Sequence, residues 1–178
     1  MPKQSTFYDD RPDDLETYIQ NIDKNRHPLS LLLAGITDVR NIGSLFRLAD
    51  AARLAHLYFY GDEALLNHRK VRRVARATLE YVPHTTLDMD GVRALSHEQP
   101  FLGLEITDQS TPYTEVAARE GNVLVIGHEA HGIPKPILDM CQEAMHLPMY
   151  GVNTSMNVAM AAGIAVYDQI RKLKKGGG

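Results

Sequence analysis

Leu15, Tyr18, Ile19 and Ile22 recur at the three- and four-residue spacing of one helix face. With Asp13 and Glu16 making a D-x-x-E start, they predict a first helix running to about Asn25, stopped by His27-Pro28. The next apolar positions obey a different rule. LSLLLAGI (29–36) and NVLVIG (122–127) are short, largely apolar runs that read as buried strands. HLYFYG (56–61), YVPHTTL (81–87), FLGLEIT (101–107) and a stretch near MHLPM (145–149) read as further strands. Helical spacing predicts helices over 41–55, 68–76 and about 90–97, and one after residue 132 with Pro134 in its first turn. A long last helix is expected over 155–175, after the loop YGVNT. Strands alternating with helices predict an α/β fold, a mostly parallel sheet with helices on both faces. The expected organisation is an acidic N-terminal segment and helix over 1–28, then one domain over 29–175.

Composition narrows this picture without redirecting it. At 178 residues with 44% apolar and 23% charged content, the sequence suits one ordinary globular core, and a separate substrate domain is not expected within it. Cys141 is the only cysteine, which rules out an intramolecular disulfide and a cysteine-based structural zinc site and favours a reducing compartment. The opening MPKQSTFYDDRPDD lacks a signal-peptide core, and no segment reaches the roughly 18 apolar residues of a membrane span. A cytoplasmic location with no membrane partner is the expectation.

The charge is polarised. The formal net charge is −3, yet HRKVRRVAR (68–76) holds Arg69, Lys70, Arg72, Arg73 and Arg76 with no acid. Four of these fall at i, i+3, i+4 and i+7, one stripe on a helix. Lys172, Lys174 and Lys175 form a second cluster, while Asp9, Asp10, Asp13 and Asp14 gather at the other end. Such a stripe is either a solvated face or a row of phosphate contacts.

In parallel α/β sheets ligands bind where strands end and loops lead into helices, and three such loops carry unusual residues: RNIGSLFR (40–47), GHEAHG (127–132) and LPMYGVNTSMN (147–157). In the first, an ordinary turn would use Asn41 as helix cap, Gly43 as a permissive backbone position and Arg47 on a wet face. GHEAHG is not the dinucleotide fingerprint, because Glu129 stands where the second glycine is needed. Its histidines are three apart rather than four, so it is not a zincin motif, and no metal is expected. In the third loop, either Ser155 caps a helix whose alanines permit close packing, or the loop cradles a ligand. A G-x-S-x-G nucleophile elbow is absent.

Together the three stretches resemble the motifs of the SpoU group, also called the TrmH family, within the SPOUT superfamily of RNA methyltransferases. Asn41, Gly43 and Arg47 match N-x-G-x-x-x-R; Gly127, Glu129 and Gly132 match G-x-E-x-x-G; LPM with SMNVA is similar to the third motif. The likeness covers roughly residues 29–172. Met156 stands for the usual leucine, a volume-conserving change, and Ala159 for a common serine.

The resemblance implies a C-terminal trefoil knot on the parallel sheet, a homodimer whose subunits build the active sites together, and S-adenosylmethionine as cofactor. Backbone around Leu104, Gly127, Leu147 and Met149, with Ser155, would hold the cofactor, and Asn157 would brace the knot loops. The implied reaction is methyl transfer to a ribose 2′-hydroxyl of RNA, with tRNA favoured over rRNA for so compact a chain. Asn41 would shape the first turn, Gly43 would admit RNA or backbone, and Arg47 would face the accepting ribose. Since a guanidinium does not give up its proton at neutral pH, Arg47 suits stabilising alkoxide charge or clamping a phosphate. Glu129 would orient Arg47 or take the proton. The stripe Arg69, Lys70, Arg72, Arg73 and Arg76 would grip RNA, joined by the C-terminal lysines. A non-catalytic RNA-binding knotted dimer and a base-nitrogen methyltransferase are the rival readings.

Overall fold

The computed structural model describes residues 14–176. The expected acidic segment, including Asp9, Asp10 and Asp13, lies outside the described residues. The first helix, α1 (Leu15–Lys24), is capped by Asp14, whose carboxylate accepts the N–H groups of Glu16 at 3.0 Å and Thr17 at 3.3 Å. The cap is therefore Asp14, not the Asp13 of the D-x-x-E pattern.

Then follow β1 (Leu29–Ala34), α2 (Val39–Ala51), β2 (Leu57–Tyr60), a 3₁₀ turn (Glu63–Leu65), α3 (Arg69–Ala75), α4 (Thr78–Tyr81), β3 (His84–Thr86) and α5 (Met89–Glu98). The chain continues through β4 (Phe101–Leu104), β5 (Thr111–Pro112), β6 (Asn122–Gly127), α6 (Lys135–Leu138), β7 (Glu143–His146) and α7 (Val158–Gly176). All seven strands join one parallel sheet in the order β3-β2-β1-β6-β4-β7-β5.

Helices cover both faces of this sheet, which explains the largely apolar runs of β1 and β6. Along β1, Leu31 and Leu33 enter the core built with Ile42, Leu45 and Phe46 of α2 and Ala162 and Val166 of α7. Leu32 and Ala34 point the other way, onto Val92 of α5 and Ile137 of α6. Strand β6 divides likewise, with Leu124 and Ile126 on the first side and Val123 and Val125 on the second. Each buried Leu, Val or Ile contributes about 1.5–3 kcal/mol, so both central strands are apolar except at Ser30 and Asn122, which are polar and buried near the strand starts.

Several boundaries differ from those the pattern predicts. Helix α2 starts at Val39, capped by Asp38, which accepts the Arg40 N–H at 2.8 Å; Asn41 thus lies inside the first turn and is not the cap. Helix α7 starts at Val158, not Ser155, because Asn157 accepts the N–H groups of Ala159 and Met160 at 3.0 and 3.3 Å. Pro134 is the N-cap of α6 rather than a residue of its first turn. The 3₁₀ turn, α4 and β5 are too short to leave a periodic trace. Helix α3 ends at Ala75 because Arg76 turns to φ 57°, so the basic stripe does not run its full expected length on one helix. Gly43 is buried where α2 crosses α3: a Cβ there would sit 2.6 Å from the Val74 Cβ and 3.1 Å from the Ala75 nitrogen. The backbone it admits is that of α3. Among the described residues no helix is long and apolar enough to cross a membrane.

Candidate active site

The sheet register sets the frame. Ala34 pairs with Gly127, Leu104 with Ile126 and with Met145, so β1, β6, β4 and β7 finish level with one another. The order also reverses here, because β2 lies on one side of β1 and β6 on the other. At the carboxyl ends opens a cavity of about 550 Å³, within the usual size of small-molecule sites. All six residues expected around the cofactor, Leu104, Gly127, Leu147, Met149, Ser155 and Asn157, line it.

The floor is a backbone hairpin. His128 and Gly132 exchange N–H···O bonds of 2.9 Å in both directions, with Gly132 at φ 68°. A Cβ on Gly127 would collide with the carbonyl of Gly132 and the nitrogen of Ile133. Both glycines of G-x-E-x-x-G are therefore demanded by this turn. Beside it lies a residue the sequence patterning passed over. Glu105 accepts the Ile133 N–H at 2.8 Å and that of Ile106 at 3.1 Å, and a Cβ on Gly132 would strike its carboxylate. The only local signal is an acid directly after an apolar strand.

A hydrogen-bonded relay joins the three motif loops. Asn41, 7% exposed, donates through Nδ2 to Glu129 Oε1 at 2.9 Å, while its Oδ1 accepts from Asn157 Nδ2 at 3.0 Å. Asn157 Oδ1 in turn receives the first N–H groups of α7. The polarity is fixed from both ends, since an ionised carboxylate can only accept and backbone N–H groups can only donate. Glu129 Oε1 also accepts the Asp38 N–H at 3.2 Å, and Oε2 that of Thr37 at 3.5 Å. Burial alone would push the Glu129 carboxyl up, but the bonds from Asn41 and the backbone N–H groups outweigh it and hold it below the ordinary value. Glu129 thus braces the turn into α2, and its hydrogen bonds go to that turn rather than to Arg47.

Arg47 stands apart from this relay. It is exposed on α2, outside the cavity lining, and forms no ion pair among the described residues. Arg69, Lys70, Arg72, Arg73 and Arg76 are also exposed and have no carboxylate partner among the described residues; Arg72 donates to Asn67 Oδ1 at 3.0 Å. Lys172 is differently engaged: its Nζ lies 2.6 Å from Asp168 and donates to the Tyr113 and Val116 carbonyls at 2.7 and 2.8 Å. It secures the segment after β5 rather than joining the expected phosphate cluster. His128 and His131 stack with ring centroids 4.7 Å apart, and His128 Nδ1 accepts the Ala130 N–H at 3.0 Å. Among the described residues no group of three or more His, Cys, Asp or Glu is arranged for a metal ion. The Cys141 thiol lines a different hollow and is pushed up by burial to about 12, far from a nucleophile's range.

These features define an α/β protein with a cavity at the sheet's carboxyl edge, a polar relay at its rim and exposed cations on two neighbouring helices. Residues 28–167 match the SpoU rRNA Methylase family, and the chain belongs to that family. The 23S rRNA (guanosine-2′-O-)-methyltransferase RlmB of Vibrio vulnificus (strain CMCP6) is 30% identical over 152 residues, 84% of this chain and 61% of that protein. The chain spans about 60% of the length of the curated relatives it matches. Among solved structures, the SpoU methyltransferase AviRb from Streptomyces viridochromogenes aligns with a TM-score of 0.74 and 26% identity over 93% of this chain and 66% of that one. AviRb is also solved in complex with AdoMet. A structure described as giving insights into the 2-OH methylation of C/U34 on tRNA aligns with a TM-score of 0.74 and 25% identity, covering 83% of this chain and 97% of that one.

Proposed function

We propose that this chain transfers a methyl group from S-adenosylmethionine to a ribose 2′-hydroxyl of RNA. The carrying observation is the relay Glu129–Asn41–Asn157, which ties all three motif loops to the rim of one cavity lined by the six expected cofactor residues. The cavity fits the cofactor by its chemistry: glycine backbone at the floor, apolar Leu104, Leu147 and Met149 for an adenine, and carboxylates but no Lys or Arg in the lining. When bound, S-adenosylmethionine supplies an electrophilic methyl group on a sulfonium.

The residues of the chain divide the remaining work. In-line displacement needs the hydroxyl oxygen held opposite the leaving sulfur, and the relay fixes the turn that starts α2 and so the helix carrying Arg47. An exposed guanidinium with no ion pair among the described residues can approach the accepting ribose and stabilise the alkoxide that develops there, with no need to lose its own proton. Glu129, held ionised by its hydrogen bonds, acts as a brace in this scheme. The cations of α3 hold backbone phosphates.

The active unit in this reading is a homodimer in the cytoplasm. Met160, Ile164 and Tyr167, 63%, 41% and 53% exposed, form an apolar stripe along α7 suited to a second copy. Arg47 lies outside its own chain's cavity lining, which accords with sites completed between subunits. The trefoil knot of the family belongs to the same reading. The preferred substrate is tRNA, supported by the likeness to the structure described with C/U34 methylation on tRNA; rRNA is the second reading, favoured by the names of the longer relatives.

Incubation with methyl-labelled S-adenosylmethionine and, separately, total tRNA and total rRNA tests the substrate. Label in tRNA alone supports the preferred reading, and label in rRNA alone reverses it. Arg47→Ala is expected to abolish transfer while cofactor affinity, measured by calorimetry, stays within about twofold. Loss of cofactor affinity in that variant would remove Arg47 from the catalytic role.

A further inference from the structure

Among the residues lining the cavity, the two carboxylates Glu105 and Glu129 have no Lys or Arg to balance them. They differ in what remains available. Glu129 is engaged at both oxygens by Asn41, Asp38 and Thr37. Glu105 is held just beyond β4 by one backbone N–H on each oxygen, from Ile106 and Ile133. A carboxylate has about four acceptor positions, so Glu105 keeps lone pairs for a ligand while its place is fixed by backbone. The glycine at 132 is the complement of this arrangement, since any side chain there would displace the carboxylate.

We propose that Glu105 is a specificity-determining residue that makes the cavity select a cofactor carrying positive charge at the reacting centre over its neutral thioether product. This rests on the cofactor reading given above. S-adenosylmethionine carries one more positive charge than S-adenosylhomocysteine, and the fixed negative charge of Glu105 favours the former through a Coulomb interaction that weakens once the methyl group has left. The same carboxylate that helps load the cofactor thereby favours release of the product. Because its position is set by backbone N–H groups, the charge needs no rearrangement on binding.

The test is calorimetric affinity for three ligands at pH 8, above the usual titration range of histidine. They are S-adenosylmethionine, S-adenosylhomocysteine, and sinefungin, in which an amine-bearing carbon replaces the sulfonium and restores the positive charge. Glu105→Gln is expected to weaken both cationic ligands about tenfold and the neutral thioether less than about twofold. Equal loss for all three would overturn the proposal by assigning Glu105 to a group they share, and no loss for any would remove it from the site. A wild-type protein that binds none of the three would instead refute the cofactor reading itself. The glutamine amide must face one of the two N–H donors, so the unliganded variant is also checked by thermal unfolding. Should it fail to fold, a salt titration of the wild type decides. The preference for the cationic ligands over the thioether should shrink between about 0.05 M and about 0.5 M salt, and an unchanged preference overturns the proposal.

Discussion

Asn157 does two things at once, and two substitutions separate them. Its Oδ1 caps α7, and its Nδ2 closes the relay onto Asn41. Asn157→Ala removes both, which costs about 1 kcal/mol for the cap and about 1 kcal/mol for the side-chain bond. It also leaves the buried Asn41 Oδ1 unsatisfied, for a total of about 2–3 kcal/mol. Asn157→Asp keeps an acceptor at the helix start, where a negative charge is welcome, but sets a carboxylate against Asn41 Oδ1. Asn41 cannot turn its amide to answer, because Nδ2 is already committed to Glu129. The expected cost of Asn157→Asp is about 1–1.5 kcal/mol, all of it from the broken link. In an Asn41→Ala background, where there is no link to break, the Asp substitution should cost less than about 0.3 kcal/mol. Urea unfolding of the four proteins, analysed with a common slope, gives these numbers. An equal cost of Asn157→Asp in both backgrounds would refute the relay and leave Asn157 as a cap alone.

Gly43→Ala pits helix propensity, which favours Ala by about 1 kcal/mol, against a Cβ 2.6 Å from that of Val74; overpacking of about 1–3 kcal/mol should win and lower the thermal midpoint, and a raised midpoint would contradict it. Glu129 has its folded pKa held below the ordinary value, so its stabilisation is full above about pH 4.3 and fades as the pH falls through the depressed value. The stability gap between wild type and Glu129→Gln should therefore narrow in acid, and a gap that widens there would have the wrong sign. Arg72→Glu with Arg73→Glu should weaken RNA binding and flatten its salt dependence while cofactor affinity is unchanged; wild-type RNA affinity would remove α3 from the interface.

How far the sequence announces this structure depends on the range of the interaction that decides each feature. Strands β1 and β6 are legible because burial on both faces favours an apolar residue at nearly every position, Ser30 and Asn122 excepted, whatever the partner. Asn41 illustrates the opposite case. Asp38 and Asn41 are both good caps by type, and what commits Asn41 to the interior is Glu129, 88 positions later in the chain. Ser155 and Asn157 pose the same choice, settled by the same relay. Strand β5 exists through its pairing with β7, Thr111 on Met145 and Pro112 on His146, and two residues have no period to detect. Gly127, Leu147 and Ser155 of the cavity lining stand in the motif loops, whereas Leu104 was expected there only through the family resemblance. Glu105 was not legible, since its partner Ile133 lies 28 residues away and nothing local marks the acid as anything but a strand end. Lys172 was expected to join the phosphate-gripping cations, but its Nζ donates to two backbone carbonyls, of residues 56 and 59 positions earlier, which no local pattern announces.

Methylation at the 2′-oxygen removes the nucleophile that alkali uses to cleave RNA, so the product can be read from its chemistry. RNA labelled by this protein with methyl-tritiated S-adenosylmethionine is hydrolysed in alkali and its fragments are separated by size. The account predicts tritium in alkali-resistant dinucleotides, absent when Arg47→Ala replaces the wild type. Tritium in mononucleotides would place the methyl group on a base and contradict ribose methylation, and RNA without label beside measurable cofactor binding would contradict methyl transfer to these RNA pools.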